Sequence, residues 1–212
     1  MAYYDLDEQE QLSALREWWN RWGALLLAGI GLMLAAVAAY QGWAWYKRDQ
    51  ATKASIQYSE LTKFVREGDS KKASERAAVI LEKYPRTGYA PLAALFAARL
   101  DFDAGNLQST QQNLQWVIDN ARDEEFKSVA RLRLAGVLLD EKHFDEALKL
   151  LDTGGDVSMA NLYADLRGDI YVAKGSFAEA RAAYQSALEK TGINSSYRSV
   201  IQLKIDSLGE VK

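Results

Sequence analysis

Few residues in this chain could make or break a covalent bond. There is no cysteine and a single histidine, His143. That excludes thiolate nucleophiles, thiolate zinc sites, disulfide frameworks and any constellation needing two imidazoles. His143 stands beside Phe144 in a segment expected to be a turn, with no nucleophile near it in sequence, and reads as a surface-turn residue. Two acidic groups, Asp101/Asp103 and Asp123/Glu124/Glu125, have the composition of a carboxylate pair for general acid and base work. They fall at an expected helix end and an expected helix start, where solvated charge and the helix dipole account for them. No glycine-rich phosphate loop and no G-x-G-x-x-G occurs. The formal charge of −3 is not that of a nucleic-acid-binding surface. No catalytic residue, metal or cofactor is therefore expected, and the residues that matter must act by contact.

The contacts begin with tryptophan. Of six Trp, all but Trp116 lie in the first 45 residues: Trp18, Trp19, Trp22, Trp43 and Trp45. They bracket a run, 22–46, without Lys, Arg, Asp, Glu or His. At 1.5 Å per residue this run reaches about 37 Å as a helix, against a hydrocarbon core of about 30 Å. Leu25, Leu26, Leu27, Ile30, Leu32, Leu34 and Val37 each favour insertion, together by roughly 2–4 kcal/mol. One central charge would cancel that, and none is present. Trp18, Trp19 and Trp22 then belong to one membrane interface, and Tyr40, Trp43, Trp45 and Tyr46 to the other, as rings with an apolar body and a polar tip prefer. A buried core helix would have a polar face and would not carry aromatics at both ends. A cleaved signal peptide would follow a basic segment, whereas residues 1–21 carry Asp5, Asp7, Glu8, Glu10 and Glu17 against Arg16 and Arg21. An uncleaved single-pass anchor is the expectation. Gly31, Ala35 and Ala39 recur at four-residue spacing on it and would let another transmembrane helix approach closely.

Ahead of the anchor, Leu12, Leu15, Trp19 and Trp22 share one helical face, which predicts a short amphipathic helix with an acidic polar side. Basic residues cluster after the anchor (Lys47, Arg48, Lys53, Lys63, Arg66), so a literal positive-inside count places the C-terminal part in the cytoplasm. Long domains escape that rule, and the count alone leaves orientation open.

Beyond Tyr46 the apolar spacing is helical, with no strand alternation. Helices are expected over 50–67, 71–84, 90–104, 107–120, 124–141, 144–152, 158–174, 177–190 and 195–208. The clearest unit carries Gly168, Tyr171, Gly175, Ala180, Tyr184 and Ala187 at the small and large positions of a tetratricopeptide repeat. Gly168, Ala180 and Ala187 let paired helices close up, and Tyr171 and Tyr184 fill the adjoining holes. Phe144-Asp-Glu-Ala147 precedes Phe177-Ala-Glu-Ala180 by close to one repeat length of about 34 residues. Turns near 68, 105, 142 and 175 give about four helix pairs and a capping helix at the end. The expected fold is all-α: a segment 1–21, a transmembrane helix 22–46, and a repeat superhelix 47–212 with a partner groove. Tyr89, Phe96, Asp165 and Asp169 are candidate groove residues. Judged from the last repeat, that groove is acidic and apolar, unlike the basic clamps that hold a C-terminal carboxylate.

An acidic Leu/Trp segment, one anchor, and repeats ending in Ala164-Asp-Leu-Arg-Gly-Asp169 followed by Lys174-Gly175 resemble the YfgM family, the ancillary subunits of the bacterial SecYEG translocon. The turn Tyr84-Pro-Arg-Thr-Gly-Tyr-Ala90 supports the likeness. The resemblance implies an inner-membrane protein with a cytoplasmic N-terminus and periplasmic repeats. It implies as partners the translocon, a membrane-anchored periplasmic chaperone of the PpiD type and unfolded polypeptide. A non-enzymatic adaptor at the translocon is the function expected on that basis. A scaffold for envelope assembly or cell division, a cytoplasmic docking module, and more remotely an enzyme are the alternatives.

Overall fold

The computed structural model describes residues 4–209, with side chains from Gln11 onward. The outermost residues of the expected first and last segments, 1–3 and 210–212, lie outside the described residues, as do the side chains of Asp5, Asp7, Glu8 and Glu10. Every regular element described is helical. The chain divides into two compact units, Met1–Gln50 and Ala51–Lys212.

The first unit is the greater part of α1 (Tyr4–Glu67). Sequence spacing suggests an amphipathic helix, an anchor and a separate helix from 50; the structure has a single helical element. No proline occurs before Pro85 to break it. This helix is long and apolar enough to cross a membrane. Leu25, Leu32 and Met33 are exposed, at 64%, 73% and 69%, as side chains meant for hydrocarbon must be in a chain by itself.

The second unit starts with the last turns of α1 and continues through α2 (Ser70–Lys83), α3 (Tyr89–Asp103), α4 (Leu107–Asn120), α5 (Glu124–Asp140), α6 (Phe144–Asp152), a 3-10 turn (Val157–Met159), α7 (Ala160–Ala173), α8 (Phe177–Lys190) and α9 (Tyr197–Ser207). The helices pair across turns at Gly68, Gly105, Lys142 and Gly175, all with positive φ. The left-handed residue reverses the chain and lets the next amide reach back, as Ser176 N–H donates to Tyr171 O at 2.8 Å and His143 N–H to Leu138 O at 2.8 Å. Lys142 takes φ 63° where the equivalent turns have glycine. The expected all-α repeat is what the structure contains.

Alanine sets the packing distance. Ala73 and Ala77 of α2 and Ala90, Ala93 and Ala94 of α3 are fully buried, so backbones meet without side chains between them. Larger residues fill the remaining gaps: Leu61 and Ile80 in the first layer, Leu114 and Leu151 in the middle, and Ile170 and Ile201 towards the end. The apolar contacts form three successive clusters, each shared between neighbouring helices, as expected where each repeat buries its stripe on the next.

Candidate partner-binding surfaces

The last repeat is built from the residues the repeat pattern singles out. Ala180 and Ala187 are fully buried and Tyr184 nearly so. Tyr171 is half-buried in the same cluster. Gly168 of α7 faces the Tyr184 ring so closely that a Cβ there would lie 2.2 Å from a ring carbon. The ring cannot withdraw freely, because its hydroxyl donates to Asp169 Oδ1 at 2.7 Å.

Asp165 and Asp169, expected as groove residues, point into this packing instead. Lys204 of α9 donates to Asp165 Oδ2 at 2.7 Å and to both Asp169 oxygens at 2.8 and 2.9 Å. The Tyr197 hydroxyl donates to Asp165 Oδ2 at 2.7 Å. Asp165 is 5% exposed. The network ties α9 and α8 to α7, and Arg198 adds hydrogen bonds to Leu188 O and Thr191 O at the end of α8. Burial first, then the hydrogen bond and charge of the neighbouring carboxylates, push the Tyr184 and Tyr197 hydroxyls well above the usual tyrosine range. Burial works against the Lys204 charge, but its bonds to Asp165 and Asp169 outweigh that and raise its pKa. These carboxylates bind α9, and Asp165 does so through Oδ2 alone, its buried Oδ1 having no hydrogen-bond partner among the described residues.

A concave groove of about 650 Å³ opens instead in the middle of the repeat domain, between α3 and α5. Buried Thr110 and Leu114 of α4 contribute to its lining. Its walls carry Phe96, Arg99 and Phe102 from α3 and Arg133, Val137 and Asp140 from α5. The volume lies within the ~300–1,000 Å³ usual for binding pockets. Phe96 is among the residues that line this groove. Tyr89 is not; its ring and that of Phe96 pack on Tyr58, with centroids 5.4 and 6.1 Å away. The acidic character inferred from the last repeat does not extend here. At the same distance before each turn, Arg99, Gly136 and Asp169 replace one another, so one repeat misreports the charge of the next. That register is the signal by which Arg99 could have been found.

In the first unit the interface aromatics are all solvent-facing. Trp18, Trp19, Trp22, Tyr40, Trp43, Trp45 and Tyr46 are each exposed. The Trp19 indole lies over Gly23, where an added Cβ would come within 3.1 Å of the ring. Lys47 Nζ lies 3.5 Å from the Trp43 ring centroid, an ammonium over a π face. A Cβ added at Gly31 would meet nothing within 4 Å, and Ala35 and Ala39 are exposed.

Three of the five acidic residues with catalytic potential are engaged elsewhere. Asp101 accepts from Asn113 at 2.9 Å, Asp103 pairs with Arg99 at 2.8 Å, and Glu124 pairs with Arg131 at 2.5 Å. His143 is exposed and precedes the first residue of α6. Among the described residues no three His, Cys, Asp or Glu side chains converge as metal ligands would.

Against known proteins, residues 16–210 match the tetratricopeptide repeat-like domain family. Curated relatives named "Ancillary SecYEG translocon subunit" align along nearly the whole chain. The Neisseria gonorrhoeae protein is 32% identical over 96% of this chain and 98% of its own. The Escherichia coli protein is 31% identical over 98% and 99%, and the Aggregatibacter actinomycetemcomitans protein 26% identical over 97% and 99%. A solved structure of the MamA RS-1 ArsTM double mutant superposes with a TM-score of 0.55 and 16% identity, covering 74% of this chain and 94% of that one. That likeness is one of fold.

Proposed function

This chain belongs to the tetratricopeptide repeat-like family of ancillary SecYEG translocon subunits, and from that premise we propose that it is a non-enzymatic, membrane-anchored adaptor at the Sec translocon. The observation that carries the reading is that the similarity runs through the apolar helix and the repeats together. Relatives bearing that name share the whole arrangement and not a repeat alone.

In this reading α1 crosses the bacterial inner membrane, with the N-terminal segment in the cytoplasm and the repeats in the periplasm. The Gly31/Ala35/Ala39 face meets a helix of the translocon or of a membrane-anchored chaperone of the PpiD type. The repeat groove, with Phe96 in its wall, takes an unfolded segment and passes it on. Tethering supplies the physical advantage, since a domain held beside the exit meets emerging chains at an effective concentration that diffusion would not provide.

Photo-crosslinking residues placed singly along 24–39 and at Phe96, in intact membranes, test this. Adducts of the anchor positions with translocon or chaperone subunits, and of the groove position with newly exported chains, are the expected result. An anchor that captures neither sinks the translocon reading and favours an envelope scaffold. A C-terminal alkaline-phosphatase fusion tests the orientation: activity supports periplasmic repeats, and its absence puts them in the cytoplasm, as the basic residues after the anchor suggest.

A further inference from the structure

The middle groove combines apolar walls with an exposed cation, Arg133. Among the described residues Arg133 makes no hydrogen bond and no ion pair. Its closest charged neighbour in effect is another cation, Arg99. Arg133 is exposed on the groove wall, where partial burial and then that like charge both lower its pKa without removing its charge. Arg99 has Asp103 at 2.8 Å, but both side chains of that pair are half or more exposed, and such a pair holds its partners weakly. Asp140 lines the groove too and is paired with neither arginine among the described residues.

A guanidinium that reaches water from inside a concave apolar wall offers planar, forked hydrogen-bond donors, and a carboxylate is their natural acceptor. A carboxylate entering between Arg99 and Arg133 would also relieve their mutual repulsion. Phe96 and Phe102, the latter 38% exposed, line the groove with apolar surface on which bulky side chains can pack. We propose that this groove selects polypeptide segments that place an internal Asp or Glu beside bulky apolar residues, and that Arg133 receives the carboxylate. The inference rests on the reading that the repeat domain binds unfolded polypeptide, and adds to it a rule for which segments bind.

The test uses the full-length chain in phosphatidylcholine nanodiscs, with empty nanodiscs subtracted. The probes are three fluorescent peptides with blocked ends, identical runs of Leu, Phe and Ser around a single central Glu, Gln or Lys. Anisotropy should show the Glu peptide binding about 5-fold tighter than the Gln peptide, with the Lys peptide weakest, in a preference that shrinks as salt rises. Arg133→Gln should remove the preference, and Arg133→Glu should turn it towards the Lys peptide, each with unchanged helicity by circular dichroism. If the three peptides bind alike, or Arg133→Gln keeps the preference, the charge rule is overturned while peptide binding stands. If no peptide binds at all, the groove as a polypeptide site falls with it.

Discussion

Gly168 and Lys142 show how much of this fold rests on single Cβ atoms. Gly168 has none, and the Tyr184 ring occupies the space. Gly168→Ala must move a ring anchored to Asp169 or spread α7 from α8, which should cost about 2–3 kcal/mol by the usual scale of overpacking. Thermal unfolding of the full-length chain in mild detergent checks this, and a variant as stable as the parent would mean the ring moves freely. Lys142 is the opposite case. It carries a side chain in a left-handed conformation that costs an L-residue roughly 1–2 kcal/mol. Lys142→Gly should therefore stabilise the chain by up to about 1 kcal/mol once the added flexibility of the unfolded chain is deducted. A fall in the unfolding midpoint would count against that account of the turn. Of these two residues the sequence revealed the first, because small and large residues alternate so regularly in the last repeat. The second has no glycine to mark it and is visible only by counting one repeat length from its neighbours.

Among the elements, α9 depends most on polar contacts. It joins α7 through Lys204 and Tyr197, whose carboxylate partner Asp165 is 5% exposed. Lys204→Met leaves those carboxylates without their cation. Removing one partner of a buried pair costs about 3–5 kcal/mol; with the Lys204 side chain 30% exposed a loss of about 1–3 kcal/mol is expected, read as increased amide exchange in α9 ahead of α3. The same contacts predict a response to alkali. Lys204, Tyr184 and Tyr197 keep their protons to higher pH in the folded chain than in the unfolded one. Their contribution is complete below about pH 10, where the unfolded groups begin to titrate, and is lost as pH rises beyond it. Denaturation midpoints from pH 8 to 11 should fall above about 10, and fall less steeply in Tyr197→Phe. Helix existence and turn positions in this domain were legible because glycine punctuates three of the four turns. The Lys204 network was not, since its members lie up to 39 residues apart and no local pattern joins them. The long α1 was read as three pieces because changes in composition look like boundaries, whereas a helix stops only where backbone chemistry stops it.

On the scale of the whole molecule, charge is placed unevenly. Residues 1–21 hold the entire formal excess of −3, and the remainder is balanced. The apolar run between has little surplus to spare. Leu32→Lys should cost about 2.5–3.5 kcal/mol, close to the whole roughly 2–4 kcal/mol that favours insertion. The variant should shift from the membrane pellet to the supernatant on alkaline carbonate extraction; continued retention would show that partner helices, and not lipid, hold the chain. Family membership was legible because it depends on the order of anchor and repeats. The chemistry of the groove was not, because Arg99, Gly136 and Asp169 occupy matching places with unlike charge. The α9 clamp has one more consequence, in time rather than space. Asp165 and Asp169 are synthesised before Lys204, so a nascent domain carries two neighbouring acids that lack their cation until the lysine arrives. A variant truncated ahead of Lys204 should therefore hold α7 and α8 less firmly and be cut there faster by protease than the parent.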